Sequence, residues 1–333
     1  MTNDRLNIIA TDGNQSTPKK EGISKSSKRT TVKAVMDRLW LTNLASFNPL
    51  LTALGRARAK KTIELIDEYL NQDLTTPQDK KAADFGTGSG VFALHLSSKE
   101  VFVDAVDIAT TAVQNLESKN SPWIRTFSDY IPHTTLESDF YDLVLGLDVI
   151  AYLERQEYRL FFAELARVVK LDGIVIASTP IDIYSEDALQ NFAGLGESEF
   201  NIEKWSLSYH SYYIRLLSFF KAPSIFVKAS KDKSFYEKEL KKRVSIGRAL
   251  FKFNCLKIVS FFWMGIEFLS RPIVNWLKQS DFILSKLEKL CRFISSETGI
   301  SHAIFVGKKR KLFEEISAKE KPIERKGKRQ VWE

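Results

Sequence analysis

A chain of 333 residues can hold one large domain or a domain carrying a substantial insertion, because single hydrophobic cores stop growing at about 250–300 residues. Its 44% hydrophobic and 27% charged content is ordinary for a globular protein, which excludes wholesale disorder but neither an enzyme nor a binding module. The net charge of +8 invites nucleic acid or an anionic membrane as partner, yet much of the excess sits at the two ends of the chain.

Residues 1–33 read as a disordered basic leader rich in Lys, Ser and Thr. The run Asn7-Ile8-Ile9-Ala10 is too short for the apolar core of a signal peptide, so a cytoplasmic location is the expectation. Val35, Leu39, Trp40 and Leu44 then share a helical face, Phe47-Asn48-Pro49 breaks it, and Ile63, Ile66 and Leu70 recur at i, i+3, i+7, giving two leading helices. From Ala82 onward short β-like runs alternate with helical stretches, the pattern of βαβ units, with strands expected near 81–85, 101–106, 123–128, 142–147 and 173–178. Ala109, Ala112, Val113 and Leu116 mark the inner face of one intervening helix, and Phe161, Leu165 and Val168 that of another. Lys170-Leu171-Asp172-Gly173 reads as a turn whose glycine tolerates positive φ, before the β-branched run Ile174-Val175-Ile176. A helix across 212–220, a strand at 223–227 and a last strand at 302–306 complete the series. The fold class is therefore α/β, a doubly wound and mostly parallel sheet. The expected divisions are a leader at 1–33, a core at 34–229, a helical insertion at 230–298, the last strand at 299–309 and a basic tail at 310–333.

The segment with most chemistry is Asp84-Phe85-Gly86-Thr87-Gly88-Ser89-Gly90, an apolar strand running into a glycine-rich turn and a helix. A side chain at Gly86 or Gly88 would collide with a ligand lying against the backbone, and such turns need φ values that glycine adopts cheaply. The next strand ends in Asp107, about twenty residues on, where a carboxylate accepts both ribose hydroxyls of a nucleoside or else caps the helix beginning near Thr110. A dinucleotide fingerprint needs its third glycine where this chain has Val91, which disfavours NAD. Cys255 and Cys291, the only cysteines, lie far apart with no histidine cluster between them, so neither a disulfide framework nor a metal site is expected.

With Asp84, Gly86, Gly88 and Gly90 in place, the chain resembles the class I S-adenosylmethionine-dependent methyltransferases, whose first motif is an acid followed by Gly-x-Gly-x-Gly. The resemblance covers roughly residues 80–180 and implies a Rossmann-like methyltransferase fold with S-adenosylmethionine as cofactor. It implies that Asp84 orients the amino-acid end of that cofactor and that Gly86, Thr87, Gly88 and Gly90 approach it closely. Asp107 would hold the ribose, with Ile108, Asp129, Tyr130 and Leu147 around the nucleoside. Residues 140–153 look like the fourth-strand motif of the small-molecule and lipid branch, of the type 11/12-like kind, with two departures: Asp148 replaces the more usual Glu, and Tyr152 stands where many relatives carry His. Catalytic candidates are His210, in the substrate-facing region between the fifth and sixth strands, and Tyr152. Nucleic acid is the minority acceptor, because no Asn/Asp-Pro-Pro-aromatic signature follows the fourth strand and no cysteine lies near the site to form a covalent adduct.

Residues 231–253 are strongly basic, and residues 256–269 are almost wholly apolar around Phe261-Phe262-Trp263-Met264 until Pro272 breaks the helix. Trp276, Ile283, Leu287, Leu290 and Ile294 supply a second amphipathic face. The apolar segment is too short to span a bilayer, so it is a lid, a dimer element or an interfacial membrane contact. The leading expectation is methyl transfer to an oxygen or nitrogen of a small or lipid-linked acceptor, by a protein peripheral to the inner face of a membrane. The alternatives are an RNA methyltransferase and a non-catalytic module that binds cofactor or docks on a membrane.

Overall fold

The computed structural model describes residues 25–42, 44, 47–71, 76–183, 185, 187–241, 243, 245–295 and 299–310. Two helices lead in, α1 (Lys25–Thr42) and α2 (Ala53–Leu70). The link between them is fixed by local caps: Asn48 accepts from the Leu50 N–H, and the Thr52 hydroxyl accepts from the Gly55 N–H. Helix α1 starts inside the stretch expected to be a disordered leader. Met36 and Trp40, one turn apart, bury themselves against Ala109 and Ala112, and such tertiary packing forms a helix whose own sequence is only weakly amphipathic. Residues 1–24 of that leader, and residues 311–333 of the basic tail, lie outside the described residues.

Next come β1 (Lys81–Phe85), α3 (Val91–Ser97), β2 (Phe102–Val106), α4 (Thr110–Glu117), β3 (Ile124–Phe127), β4 (Tyr141–Leu147), α5 (Tyr158–Val168) and β5 (Val169–Pro180). After α6 (Ala188–Glu199), the chain forms β6 (Phe200–Ser208) and finally β7 (His302–Lys309). Among the described residues these strands make one seven-stranded sheet in the order β3-β2-β1-β4-β5-β7-β6. The pairs from β3 to β5 are parallel, and β7 runs antiparallel to both neighbours. The strand order reverses beside β1, whose neighbours are β2 and β4, and the crevice at the carboxyl ends of those strands is where open α/β sheets bind ligands. One face of the sheet is closed by Phe161, Phe162 and Leu165 of α5, the other by Leu65 and Ile66 of α2 and Leu96 of α3.

Among the described residues five helices stand between β6 and β7: α7 (Ser211–Lys231), α8 (Lys233–Lys241), α9 (Ser245–Asn254), α10 (Lys257–Gln279) and α11 (Asp281–Ile294). The insertion thus begins after Ser208, earlier than the expected 230, and the expected strand at 223–227 is part of α7. Pro223 and Val227 are both buried, four residues apart on one face of that helix, so packing overrides the β-branched composition of Ile225-Phe226-Val227. The penultimate strand is instead β6, whose alternation is blurred by a register shift between Ile202 and Lys204. Pro272 does not end its helix either; α10 runs through it to Gln279, and Trp276 belongs to α10 rather than to α11. Nor is residue 170–173 a turn, since β5 already runs from Val169 and Gly173 has no positive φ. What Gly173 provides is closeness: a Cβ there would lie 2.9 Å from the Tyr141 carbonyl oxygen, where the β4–β5 register shifts.

Candidate active site

The turn after β1 passes through Gly86, Gly88 and Gly90 at φ 70, 53 and 75 degrees. Those angles explain the glycines, and at Gly86 space adds a second reason, since a Cβ would meet Val149 Cγ2 at 2.7 Å. The backbone is pinned on both sides. Gly86 and Thr87 donate their N–H groups to the Val106 carbonyl at 2.8 and 3.0 Å, and Gly88 donates to Asp107 Oδ2 at 2.9 Å. The other Asp107 oxygen accepts from the Ala109 N–H at 2.9 Å, so this carboxylate both holds the turn and caps α4.

Asp84, at 1% exposure, sits under the turn and accepts a hydrogen bond from the Thr87 hydroxyl at 2.8 Å. Burial pushes its carboxyl up to about 6, with the nearby Asp107 adding to the rise and Thr87 opposing it. Asp107 is raised too, first by burial, against the Ala109, Gly88 and Ile108 N–H groups that favour its anion.

Over this cradle lies an aromatic wall. Phe47 stacks between Trp40, at 6.0 Å, and Tyr152, at 5.8 Å, while its carbonyl accepts from the Ser89 N–H. The resulting cavity is lined by Asp84, Gly86, Thr87, Gly88, Asp107, Ile108, Tyr130, Leu147 and Tyr152 among others, which brings most of the expected cofactor residues and one catalytic candidate together. Three expected residues stand elsewhere. Gly90 is turned against Leu116, where a Cβ would lie 2.6 Å from Cδ1, and it does not line the cavity. Asp129 is spent on Thr135, accepting from its N–H at 2.8 Å and its hydroxyl at 2.7 Å, and on Arg29 at 3.4 Å. His210 is fully buried at the start of α7, away from the cavity, with Nε2 at 3.4 Å from Glu288 Oε2; burial lowers its basicity more than Glu288 restores it.

The far wall of the cavity holds a pair the sequence reading did not bring together, Asp148 and His302. Asp148, at φ 59 degrees just beyond β4, accepts from His302 Nε2 and from the Ser178 hydroxyl, each at 2.8 Å, and Arg58 lies 3.9 Å from its other oxygen. Burial opposes ionisation of Asp148, but His302, Arg58 and Ser178 outweigh it and hold the carboxyl well below the usual range. His302, 1% exposed, is pushed down by burial and only partly restored by Asp148. With Nε2–H directed to the carboxylate, Nδ1 carries the free lone pair, and it has no hydrogen-bond partner among the described residues. Also among the described residues, no group of three or more His, Cys, Asp or Glu side chains is placed to hold a metal.

A mostly parallel sheet with a glycine cradle and a carboxylate at its switch point is the arrangement in which α/β folds bind nucleoside cofactors. Residues 82–173 match the family model described as a methyltransferase domain. No curated protein matches the chain. Similar solved structures include the magnesium protoporphyrin IX methyltransferase of Synechocystis with bound S-adenosylhomocysteine (17% identity over 54% of this chain and 92% of that one, TM-score 0.42). Others are the N-methyltransferase NodS of Bradyrhizobium japonicum with the same ligand (14%, 38% and 69%, TM-score 0.34) and a protein of Pyrococcus horikoshii (19%, 46% and 85%, TM-score 0.39). Similarities at this level say nothing of the acceptor.

The cavity fits S-adenosylmethionine. The glycine cradle leaves room for a ligand against the backbone, and Asp84 and Asp107 offer carboxylates for an ammonium and for ribose hydroxyls. The raised Asp84 has a measurable consequence. An acid whose folded pKa rises from 3.8 to about 6 costs the unliganded protein about 3 kcal/mol at neutral pH, a cost absent below the unfolded value and complete above the folded one. Asp84→Asn is therefore expected to raise the melting temperature of the unliganded protein by a few degrees while abolishing binding of the cofactor. In the wild type, a bound ammonium draws the Asp84 proton off, so calorimetry in buffers of different ionisation heat should show proton release near pH 6 and none near pH 8. Equal heats at both values would separate Asp84 from the cofactor.

Proposed function

We propose that the protein transfers a methyl group from S-adenosylmethionine to an oxygen or nitrogen of a small acceptor with an apolar, lipid-like portion. The observation that carries this reading is a second cavity, of about 890 Å³, enclosed by α7, α8 and α10. It shares Leu54 and Ile214 with the cofactor cavity, and its wall combines apolar Leu217, Phe220, Ile225, Phe226 and Val274 with charged Lys221, Lys228, Glu239, Arg243, Glu267, Arg271 and Lys278, which suits a ligand with an apolar portion and a charged one. Its size is that of sites for drug-sized ligands, and a chain or ring system lying there would present its polar end past Ile214 to the far wall of the first cavity.

Bound in the cradle, S-adenosylmethionine supplies a methyl group already activated on a sulfonium. The protein then has to position the acceptor and take its proton. His302 is neutral near neutral pH and bears its lone pair on Nδ1, so it serves as the base, and Asp148 orients the ring and stabilises the imidazolium that forms. Phe47 and Tyr152 close the site against water. An acceptor of this class resides in or beside a bilayer, which makes the protein peripheral to a membrane on its cytoplasmic side.

The test has two stages. Calorimetric titration with S-adenosylmethionine, S-adenosylhomocysteine and NAD should give tight binding of the first two and none of the third. Incubation with methyl-labelled cofactor and either a lipid extract, a water-soluble extract or total RNA should then place the label in the lipid fraction. Label confined to water-soluble compounds would refute the lipid-like acceptor, and sequence-selective label in RNA would transfer the reading to nucleic acid.

A further inference from the structure

The helices α9 and α10 meet at an 83-degree bend, and each carries an apolar stripe that none of the described residues covers. On α9 the stripe is Ile246, Leu250 and Phe253, spaced i, i+4, i+7. On α10 it is Ile258, Phe261, Phe262, Phe268, Leu269 and Trp276, with Ile258 88% and Phe261 78% exposed. The opposite side of α10 is engaged, because Ser260, Ser270, Val274 and Leu277 are buried and the Leu277 carbonyl accepts from the Tyr213 hydroxyl of α7 at 2.6 Å. The stripe is thus the outer face of an anchored helix. No single helix among the described residues is long and apolar enough to cross a membrane; α9 and α10 reach the required length and composition only as a bent pair.

We infer that this bent pair is a wedge that seats the protein on an anionic bilayer surface, with the stripe in the boundary between headgroups and acyl chains. The inference extends the membrane placement proposed above, and it rests on the surface of α9 and α10 rather than on the site. Charge selects the occupant. Residues 245–294 hold eight Lys and Arg against three acids, and each acid is already paired: Glu267 with Arg271 at 2.9 Å, Asp281 with Arg56 at 3.0 Å and Glu288 with Lys61 at 2.8 Å. Arg248 and Lys252 project from the side of α9 opposite its stripe, and Lys257 opens α10 beside its own, all three exposed. Lys257 at the edge of the stripe, with Arg248 and Lys252 behind it, suits phosphate headgroups, toward which such stems extend. A protein–protein contact on the stripe would have to desolvate Lys257, and the cores of such contacts are depleted in Lys.

Flotation of the full-length protein with vesicles tests the inference. Binding to phosphatidylcholine–phosphatidylglycerol vesicles is expected to exceed binding to phosphatidylcholine alone by about tenfold or more at low salt. The double substitution Phe261→Glu with Phe268→Glu should remove binding to both, and Arg248→Glu with Lys252→Glu should remove the preference for the anionic lipid. S-adenosylmethionine affinity, unchanged in all variants, shows that the fold is intact and keeps this result separate from the methyl-transfer reading. Absence of the wild type from the floated fraction, or equal flotation of the Phe variant, overturns the inference. So does a wild-type dimer that dissociates on the Phe substitutions without any vesicle binding, which would assign the stripe to a second copy of the chain.

Discussion

Asparagine in place of Asp107 is expected to weaken S-adenosylmethionine binding roughly 100-fold. The carboxylate has two oxygens, each already accepting one backbone N–H, from Gly88 and from Ala109 at 2.9 Å, and each retaining a lone pair for a ribose hydroxyl. Asparagine keeps only one acceptor oxygen, so one of the two N–H groups must face an amide donor. The variant therefore loses a charge-assisted contact to the ligand and loosens the turn that presents it. Thermal melting separates the two effects. A small fall in the unliganded midpoint measures the turn and the α4 cap, at about 1 kcal/mol for a lost cap, whereas the stabilisation added by saturating ligand should nearly vanish. If ligand stabilisation survives while the unliganded midpoint falls, Asp107 is only a cap and the ribose lies elsewhere.

Asp107 was legible in the sequence because its evidence is local. The glycine turn, the strand before it and the acid after the next strand all follow from backbone angles and a period of two, and the sheet places them as their order implies. The same holds for α4 and α5, whose inner faces show in the spacing of Ala112, Val113 and Leu116 and of Phe161, Leu165 and Val168. Asp129 misled because position along the chain does not tell which way a carboxylate turns; the Thr135 N–H and hydroxyl, six residues on, satisfy it locally. His210 misled for a related reason, since a polar residue before a helix reads as exposed until Glu288, from α11, closes over it.

The insertion was legible in composition and illegible in its breaks. Proline is disfavoured inside helices because it removes a donor and crowds the preceding turn, yet α7 and α10 both continue through one. In each case residues just beyond the proline are buried against neighbouring helices, Val227 in α7 and Val274 and Leu277 in α10, and packing decides. Strand β6 escaped notice because it joins the sheet at its edge beside β7, where one face stays solvated and a bulge interrupts the alternation. Local pattern carries no information on either point, since both depend on what the segment meets after the chain has folded.

His302 is the case in which sequence distance hides most, and its replacement is the sharpest test of the chemistry. It lies 154 residues from Asp148, and only the order β4-β5-β7 sets the two side by side at the rim of the cavity. His302→Gln preserves a polar side chain of similar reach to Asp148 but offers no basic nitrogen. Under the proposed role of His302 as the acceptor's base, methyl transfer is expected to fall about 10²–10⁴-fold, with S-adenosylmethionine affinity within twofold of wild type. The pH profile adds an independent reading. The base works when neutral, so the wild-type rate should fall as pH drops through the His302 titration, which burial places below the ordinary histidine value. That limb should be missing from the residual rate of His302→Gln. Asp148→Asn removes the anion that orients the ring and stabilises the imidazolium, so its limb should move to still lower pH with a smaller loss of rate. A His302→Gln enzyme with wild-type turnover and an unchanged acidic limb would show that the acceptor's proton leaves by another route, and Tyr152, on the opposite wall, would be the next residue to replace.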